Sequence, residues 1–211
     1  MRLVKICGLN SAEAFGAASA AGADLAGFVF YPPSPRAVTP AEAARIAGDS
    51  AKPLRVGLFV DPDDALLAEV LSGVRLDLLQ LHGRESPARV AAVRAKFGVK
   101  VMKVFGIAAA ADLDRVQAEG GAADWLMLDA KPSPDAALPG GNAATFDWAL
   151  LRGLRLGKPW LLAGGLTAEN VGQAIAIADP TGVDVSSGVE RARGVKDPAK
   201  IAAFVCAARA G

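Results

Sequence analysis

Strand and helix patterns alternate eight times along this chain, and this alternation limits the possible fold more than any other feature of the sequence. Short runs rich in Val, Leu, Ile and Phe are each followed by turn residues and an alanine-rich helical stretch. The apolar runs lie at 3–8, 25–30, 54–60, 76–83, 99–106, 124–130, 159–165 and 183–188. The helical stretches lie at 11–21, 40–48, 62–72, 86–97, 109–119, 146–154, 167–178 and 197–209. Such continuous apolar runs are typical of parallel strands that are covered by helices on both faces.

Eight strand–helix units in 211 residues predict an α/β fold, a single-domain (β/α)8 TIM barrel over residues 1–211. The alternative is an open, doubly wound sheet, which usually has fewer strands and a glycine-rich turn after the first of them. The first strand is followed by ICGLNS instead. Capping side chains with an early proline, as at Thr39-Pro40 and Asp197-Pro198, support the predicted helix starts.

The charge balance and the cysteine count exclude several classes of protein. The chain has 23 basic and 22 acidic side chains and a net charge of +1, which argues against a nucleic-acid-binding surface. It contains no uninterrupted apolar run of the length that a membrane span needs. Two cysteines, Cys7 and Cys206, are too few for a disulfide framework, so we expect a cytoplasmic protein.

The chain contains a single histidine, His82. A zinc site built on two or three imidazoles is therefore impossible, and any Ser-His-Asp or Cys-His arrangement would have to use this one residue. We expect neither a metal site nor most hydrolase chemistries.

Polar residues follow the apolar runs at the end where barrels of this kind carry their active sites. If Cys7 points into the barrel, its apolar neighbours Val4 and Ile6 point outward to the helices, and the same alternation turns Asp129 inward. The two residues would flank the mouth and could act as base and acid, although either could instead be a structural residue. Lys5 shares the face of Cys7 and could favour its thiolate or be a buried structural lysine.

Glycines and small hydroxyl residues after the last two strands indicate a phosphate site. Gly164 and Gly165 end the seventh run, and VDVSSGVE of the eighth brings the hydroxyls of Ser186 and Ser187 and the glycine Gly188 next to them. Backbone N–H groups at such turns can approach an anion closely.

Two further side chains are candidates for contact with a substrate. Arg36 could bind a second anionic group through its guanidinium, or it could be an exposed loop arginine. His82 is either a substrate contact or a histidine with a structural role at a strand end.

Several segments, in order along nearly the whole chain, resemble the signature segments of the phosphoribosylanthranilate isomerase family. They are KICGL, GFVFYPPSPR, VGLFV, LLQLHG, LMLDAK, LPGGNAATFDW, LAGGLTAENV and DVSSGVE followed by GVKD. The resemblance implies a barrel that converts N-(5-phosphoribosyl)anthranilate to 1-(o-carboxyphenylamino)-1-deoxyribulose 5-phosphate by an Amadori rearrangement in tryptophan biosynthesis. It implies no cofactor, and we expect a phosphorylated small molecule as partner and a monomer or homodimer.

The resemblance also implies roles for individual residues. The general base of the family matches Cys7, its general acid matches Asp129, and the arginine that meets the anthranilate carboxylate matches Arg36. Phosphate binding in the family matches the Gly164-Gly165 turn with Asp184, Ser186 and Ser187. One departure is the run Gly140–Ala144, GGNAA, where the family usually has Gly-Gly-Thr-Gly, and the lost glycine restricts that loop.

Two rival interpretations remain open at this point. Another ribose-phosphate aminoaldose–ketose isomerase would be expected to have an aspartate in place of Cys7 and two phosphate sites, of which we find one. A barrel that binds a phosphorylated metabolite without turnover would not need the pair of Cys7 and Asp129.

Overall fold

The computed structural model describes residues 2–131 and 145–211, and at its centre is a closed barrel of eight parallel strands. In chain order the strands are β1 (Leu3–Cys7), β2 (Leu25–Val29), β3 (Leu54–Phe59), β4 (Leu78–Leu81), β5 (Lys100–Ile107), β6 (Trp125–Ala130), β7 (Trp160–Leu162) and β8 (Gly182–Val185). Each strand pairs with the next along the chain, and β8 pairs with β1 to close the ring. The predicted barrel fold is confirmed.

Seven α-helices cover the barrel in the described part of the chain. They are α1 (Ala12–Ala20), α2 (Pro40–Ala47), α3 (Asp64–Gly73), α4 (Pro87–Phe97), α5 (Ala111–Glu119), α6 (Val171–Ala178) and α7 (Pro198–Ala210). Side chains cap several of the N-termini as the sequence predicts, and at α2 the residues Thr39 and Glu42 form a complete capping box.

The helix predicted at 146–154 is wrong, because the structure has only a four-residue 3-10 helix there, Trp148–Leu151. Asp147 caps this turn by accepting a hydrogen bond from the backbone of Ala149. Gly153 then takes a φ of +73°, which a helix cannot contain. A single turn so bounded cannot be extended to the length at which α-helices become stable.

The alternation of side chains along the strands builds two packed layers. Outward-facing residues such as Val4, Ile6 and Leu128 join the helices in one large core. Inward-facing residues fill the barrel itself, among them Leu25, Val56, Leu78, Met102, Met127 and Leu161. Cys7 lies above this inner layer, in contact with Val29 and Leu58 at the mouth of the barrel.

The chain after β8 differs from the sequence prediction, which extends the eighth strand to residue 188. The strand ends at Val185, a 3-10 helix follows at Ser187–Val189, and a small antiparallel pair is formed by β9 (Glu190–Ala192) and β10 (Val195–Lys196). This segment contacts the loops after β1 and β2, where Asn10 donates to the carbonyl of Gly194 and Arg36 pairs with Glu190.

The run Gly140–Ala144, where the sequence departs from the family pattern, lies outside the described residues. Among residues 2–131 and 145–211, no helix combines the length and the apolar character needed to cross a membrane.

Candidate active site

Cys7 lies at the carboxyl end of β1 with a buried ion pair next to it. Lys5, on the same face of the strand, is fully buried, and its Nζ donates to Oδ1 of Asp184 on β8 at 2.7 Å. Opposite Cys7 is Gly27 of β2, and a Cβ at that position would lie 2.9 Å from Sγ of Cys7 and 3.1 Å from Nζ of Lys5. The missing side chain therefore leaves the space in which the thiol and the ammonium group meet.

The charges around Cys7 act in opposite directions. Burial raises the pKa of the Cys7 thiol, the charge of Lys5 lowers it, and the carboxylate of Asp184 raises it again, with a net rise. Burial alone would lower the pKa of Lys5, but the charges of Asp184 and Cys7 and the hydrogen bonds to both side chains together outweigh burial and raise this pKa above its ordinary value. Lys5 is therefore held as a cation beside a thiol whose pKa is raised by burial.

Asp129, at the end of β6, forms the second polar centre of the mouth. Its Oδ2 lies 3.4 Å from Nε2 of His82, which follows β4, and both side chains are mostly buried. Its Oδ1 accepts the backbone N–H of Ala130 at 2.8 Å. On the far side of the imidazole, Nδ1 of His82 lies 3.3 Å from Nε2 of Gln80.

Arg36 is held by a buried carboxylate that the sequence analysis did not select. Its Nε and Nη2 donate to the two carboxylate oxygens of Glu190 at 2.6 and 3.0 Å. Lys196 donates to the same carboxylate at 2.9 Å and to the backbone carbonyl of Ser186 at 2.8 Å. This bidentate contact with Glu190 uses Nε and Nη2 of the Arg36 guanidinium and does not involve Nη1.

Glu190 remains charged to low pH because of these partners. Burial opposes its ionisation, but hydrogen bonds from Arg36 and Lys196, the charge of Lys196 and the N–H of Gly194 outweigh burial and lower its pKa from 4.5 to about 2. Burial lowers the pKa of Lys196 more than Glu190 raises it.

A cavity of about 360 Å³ opens beside the turns that follow β7 and β8. Gly165, Thr167, Ser187 and Lys200 are among the residues that line it. The turn after β7 begins with Gly164 and Gly165 at φ of +93° and +60°, and Asn170 fixes it by donating to the carbonyl of Gly165. The lining also includes the carboxylate of Glu169, and the features that suit a phosphate group are the glycine turn, the hydroxyl of Ser187 and the cation of Lys200.

The structure brings together most of the residues that the sequence selected, but in three groups. Cys7 lies with Ser186, whose hydroxyl donates to the Cys7 carbonyl at 3.2 Å, and Asp129 lies with His82. Gly165 and Ser187 line the cavity. A phosphate contact from Asp184 finds no support in this geometry, because its carboxylate pairs with Lys5 and would repel a phosphate group.

Sequence reasoning missed Glu190, Lys196 and Lys200 as parts of the site. A signal was present for two of them, because Glu190 closes the DVSSGVE segment and Lys196 lies in GVKD. What the sequence could not show is that the small pair of β9 and β10 folds this segment back against the arginine loop after β2. Among the described residues there is no cluster of three or more His, Cys, Asp or Glu side chains that could hold a metal ion.

Comparison with known proteins gives one consistent result. Residues 4–207 match the family model described as N-(5'-phosphoribosyl)anthranilate (PRA) isomerase. The chain is 57% identical over 210 residues to the N-(5'-phosphoribosyl)anthranilate isomerase of Paracoccus denitrificans, covering 98% of this chain and 97% of that protein.

Solved structures agree with this match. The phosphoribosyl anthranilate isomerase of Thermotoga maritima superposes with a TM-score of 0.87 at 35% identity, covering 100% of both chains. A phosphoribosyl anthranilate isomerase in complex with reduced 1-(o-carboxyphenylamino)-1-deoxyribulose 5-phosphate superposes with a TM-score of 0.83 at 33% identity, again covering 100% of both chains.

Proposed function

The chain belongs to the N-(5'-phosphoribosyl)anthranilate isomerase family, and from this premise we propose that it performs the reaction of that family with Asp129 as acid and Cys7 as base. The reaction is an Amadori rearrangement of N-(5'-phosphoribosyl)anthranilate to 1-(o-carboxyphenylamino)-1-deoxyribulose 5-phosphate, a step in tryptophan biosynthesis. The observation that carries the assignment of roles is the placement of a thiol and a carboxylate at the carboxyl ends of β1 and β6, three strands apart around the ring.

The acid step takes place at the furanose ring. Asp129 gives its proton to the ring oxygen, the bond between that oxygen and C1′ breaks, and the nitrogen lone pair forms the C1′=N bond of a Schiff base. His82 beside the carboxylate is the one imidazole of the chain, and it lies where it can exchange a proton with Asp129.

The base step uses the thiolate of Cys7. It removes the proton from C2′, the electron pair of that bond moves toward the nitrogen, and the resulting enolamine tautomerises to the ketone. Lys5 supports this step because its charge favours the thiolate that burial disfavours. Proton transfer alone completes the reaction, so no covalent bond from sulfur to substrate is needed.

The two ends of the substrate carry negative charge, and two parts of the mouth are suited to bind them. The phosphate fits the cavity at Gly165 and Ser187, with the turn at Gly164 and the cation of Lys200 beside it. The anthranilate carboxylate would accept a hydrogen bond from Nη1 of Arg36, the guanidinium nitrogen that does not take part in the contact with Glu190.

We further propose that the whole chain, residues 1–211, acts as one catalytic domain in the cytoplasm, as a monomer or a homodimer. The family match over residues 4–207 supports the single domain. The two cysteines, which form no disulfide, support a reducing compartment.

Substrate fluorescence tests the reaction and the two roles together. We expect the fluorescence of freshly made phosphoribosylanthranilate to decay with the native protein, and we expect Cys7→Ser and Asp129→Asn each to slow it by about 10²–10⁴-fold, the usual contribution of a general acid or base. Cys206→Ser is the matched control, because this cysteine is exposed on α7 and should leave the rate unchanged.

The possible results separate the claims. An inactive native protein that still binds a product analogue would refute the enzymatic function. If the native protein and Cys7→Ser are equally fast, Cys7 is a packing residue and the base must be sought elsewhere.

A further inference from the structure

Gln80 is a buried amide inside the barrel that the proposed reaction does not use. It lies on β4, faces the interior, and is 1% exposed. Its Nε2 contacts Nδ1 of His82 at 3.3 Å and Sδ of Met127 at 3.6 Å. Its Oε1 has no hydrogen-bond partner within residues 2–131 and 145–211, although it is fully removed from solvent. A buried amide with one half unsatisfied is costly, so its retention at this place calls for a reason.

The imidazole of His82 stands between this amide and the proposed acid. When Nε2–H of Gln80 points at Nδ1, that ring nitrogen must accept, so the proton of the neutral ring is on the other nitrogen. That nitrogen, Nε2 of His82, lies 3.4 Å from Oδ2 of Asp129. In this orientation Gln80 favours the tautomer in which Nε2 of His82 can donate to Asp129.

Resting on the function proposed above, we infer that Gln80 is a positioning residue that keeps His82 aligned as the proton partner of Asp129. An amide suits this task because it carries a donor and an acceptor on one planar group. When His82 takes up a second proton from water, Nδ1 becomes a donor, and a half-turn of the amide presents Oε1 to it. The ring thus keeps one orientation in both protonation states.

The proton balance of the inferred cycle is simple. The Nε2–H bond of the imidazolium breaks as an O–H bond forms on Asp129, and this O–H bond then breaks as the proton passes to the furanose oxygen. His82 is left transiently with its proton on Nδ1, held by Oε1 of Gln80. Water then protonates Nε2 and removes the proton from Nδ1, the amide turns back, and the resting neutral ring with its proton on Nε2 is restored. A carboxylic acid in water is almost wholly ionised at neutral pH, so an acid in this position benefits from a neighbour that supplies the proton.

Ionisable groups on the neighbouring strands are engaged elsewhere. Asp61 after β3 accepts the N–H of Arg84, and Lys103 of β5 forms a buried pair with Glu85 at 2.8 Å. Lys131 after β6 pairs with Asp112 at 2.9 Å. Within the part of the chain that the structure describes, Asp129 is thus the charged group in direct contact with the imidazole.

The single histidine makes a direct test possible. In untagged protein, long-range ¹⁵N–¹H correlation spectra contain the ring signals of one imidazole only, and they report which nitrogen carries the proton. We expect ligand-free native protein at alkaline pH to have it on Nε2. A proton on Nδ1 in this neutral state would overturn the inference without any bearing on whether the protein is an isomerase.

Two variants of Gln80 and one control extend the test. Gln80→Met keeps the length of the side chain but removes both polar groups, and we expect mixed tautomers and kcat at least about tenfold lower with KM changed less than kcat. Gln80→Glu offers only acceptors, so it should increase the fraction of doubly protonated His82 at neutral pH and displace the pH profile of kcat. Gln117→Met, at an exposed position on α5, is the matched control.

The results that contradict the inference are equally specific. Gln80→Met with native tautomer, native pH profile and native kcat would refute it. If Gln80→Met fails to fold, Gln80→Glu and the native tautomer still decide the question, and normal turnover by the native protein keeps the proposed function separate from this outcome.

Discussion

Cys7, the base that we propose, has surroundings that favour the protonated form of its thiol. The thiol is buried, which raises its pKa, and the neighbouring carboxylate of Asp184 acts in the same direction. Lys5 opposes both effects, and the ion pair at 2.7 Å fixes the ammonium group beneath the sulfur. The reactivity of the thiol therefore depends on a balance of two buried charges of opposite sign.

Removing the charge of Lys5 and removing the charge of Asp184 should shift the pKa of the Cys7 thiol in opposite directions. We expect Lys5→Met to raise the pKa of Cys7 further, because only the carboxylate remains, and to lower turnover at neutral pH. Asp184→Asn should lower the pKa of Cys7, because the cation is then unopposed. The measurement is thiolate ultraviolet absorbance against pH in a Cys206→Ser background, and equal shifts of the same sign in both variants would contradict the argument.

Alternation along the strands was sufficient to predict which way the site residues face. Cys7 and Asp129 point into the mouth because their neighbours Ile6 and Leu128 belong to the outer core. Partners that come from distant parts of the chain could not be predicted in this way. Glu190 meets Arg36 across 154 positions of sequence, and nothing in the local pattern of either residue indicates the other.

At the scale of elements, the segment from β8 through β10 connects the end of β8 to the loop after β2. Glu190 at the start of β9 binds Arg36 of the loop after β2 and Lys196 of β10, and all three side chains are almost completely buried. Because the carboxylate joins the pair of β9 and β10 to the loop after β2, it stabilises the arrangement of loops above the barrel.

The acid dependence of stability tests this cluster. The pKa of Glu190 is about 2 in the folded protein and near 4.5 when unfolded, so its contribution is complete above pH 4.5 and is lost as the pH falls toward 2. Glu190→Gln should lower the free energy of unfolding at pH 7 by about 3 kcal/mol, since it leaves two buried cations without a counter-charge. The difference from the native protein should shrink below pH 4.5.

Urea unfolding at several pH values measures this difference, and Glu69→Gln, at an exposed position on α3, is the control. A difference that stays constant from pH 7 down to the acid transition would show that the charge of Glu190 does not contribute.

Elements with strong local signals were predicted well, and those that depend on their context were not. Each of the eight strands and seven of the eight helices has its own apolar run or cap in the sequence. The segment at 146–154 has helical composition, yet Gly153 ends it after one turn. The pair of β9 and β10 was missed because strands of three and two residues have too little pattern to be recognised.

The whole molecule depends on closing the ring, since an open edge between β1 and β8 would expose backbone groups of both strands. Four parallel residue pairs join these strands, from Leu3 opposite Gly182 to Ile6 opposite Val185. Outside this junction, α7 packs against α1, α6 and β1. Arg209, near the end of α7, donates to Asp24 beside β2 at 2.7 Å and so connects the last helix to the start of the barrel.

The burial of α7 should therefore be essential to the stability of the entire barrel. Phe204 is 0% exposed in the outer core, and we expect Phe204→Ala to lower the free energy of unfolding by about 3–5 kcal/mol, as the loss of a buried aromatic side chain usually does. Cys206→Ala, at an exposed position of the same helix, should change it by less than about 0.5 kcal/mol. Urea unfolding followed by circular dichroism measures both. If Phe204→Ala instead unfolds in two steps, with α7 released first, the last helix is an independent unit and ring closure does not depend on it.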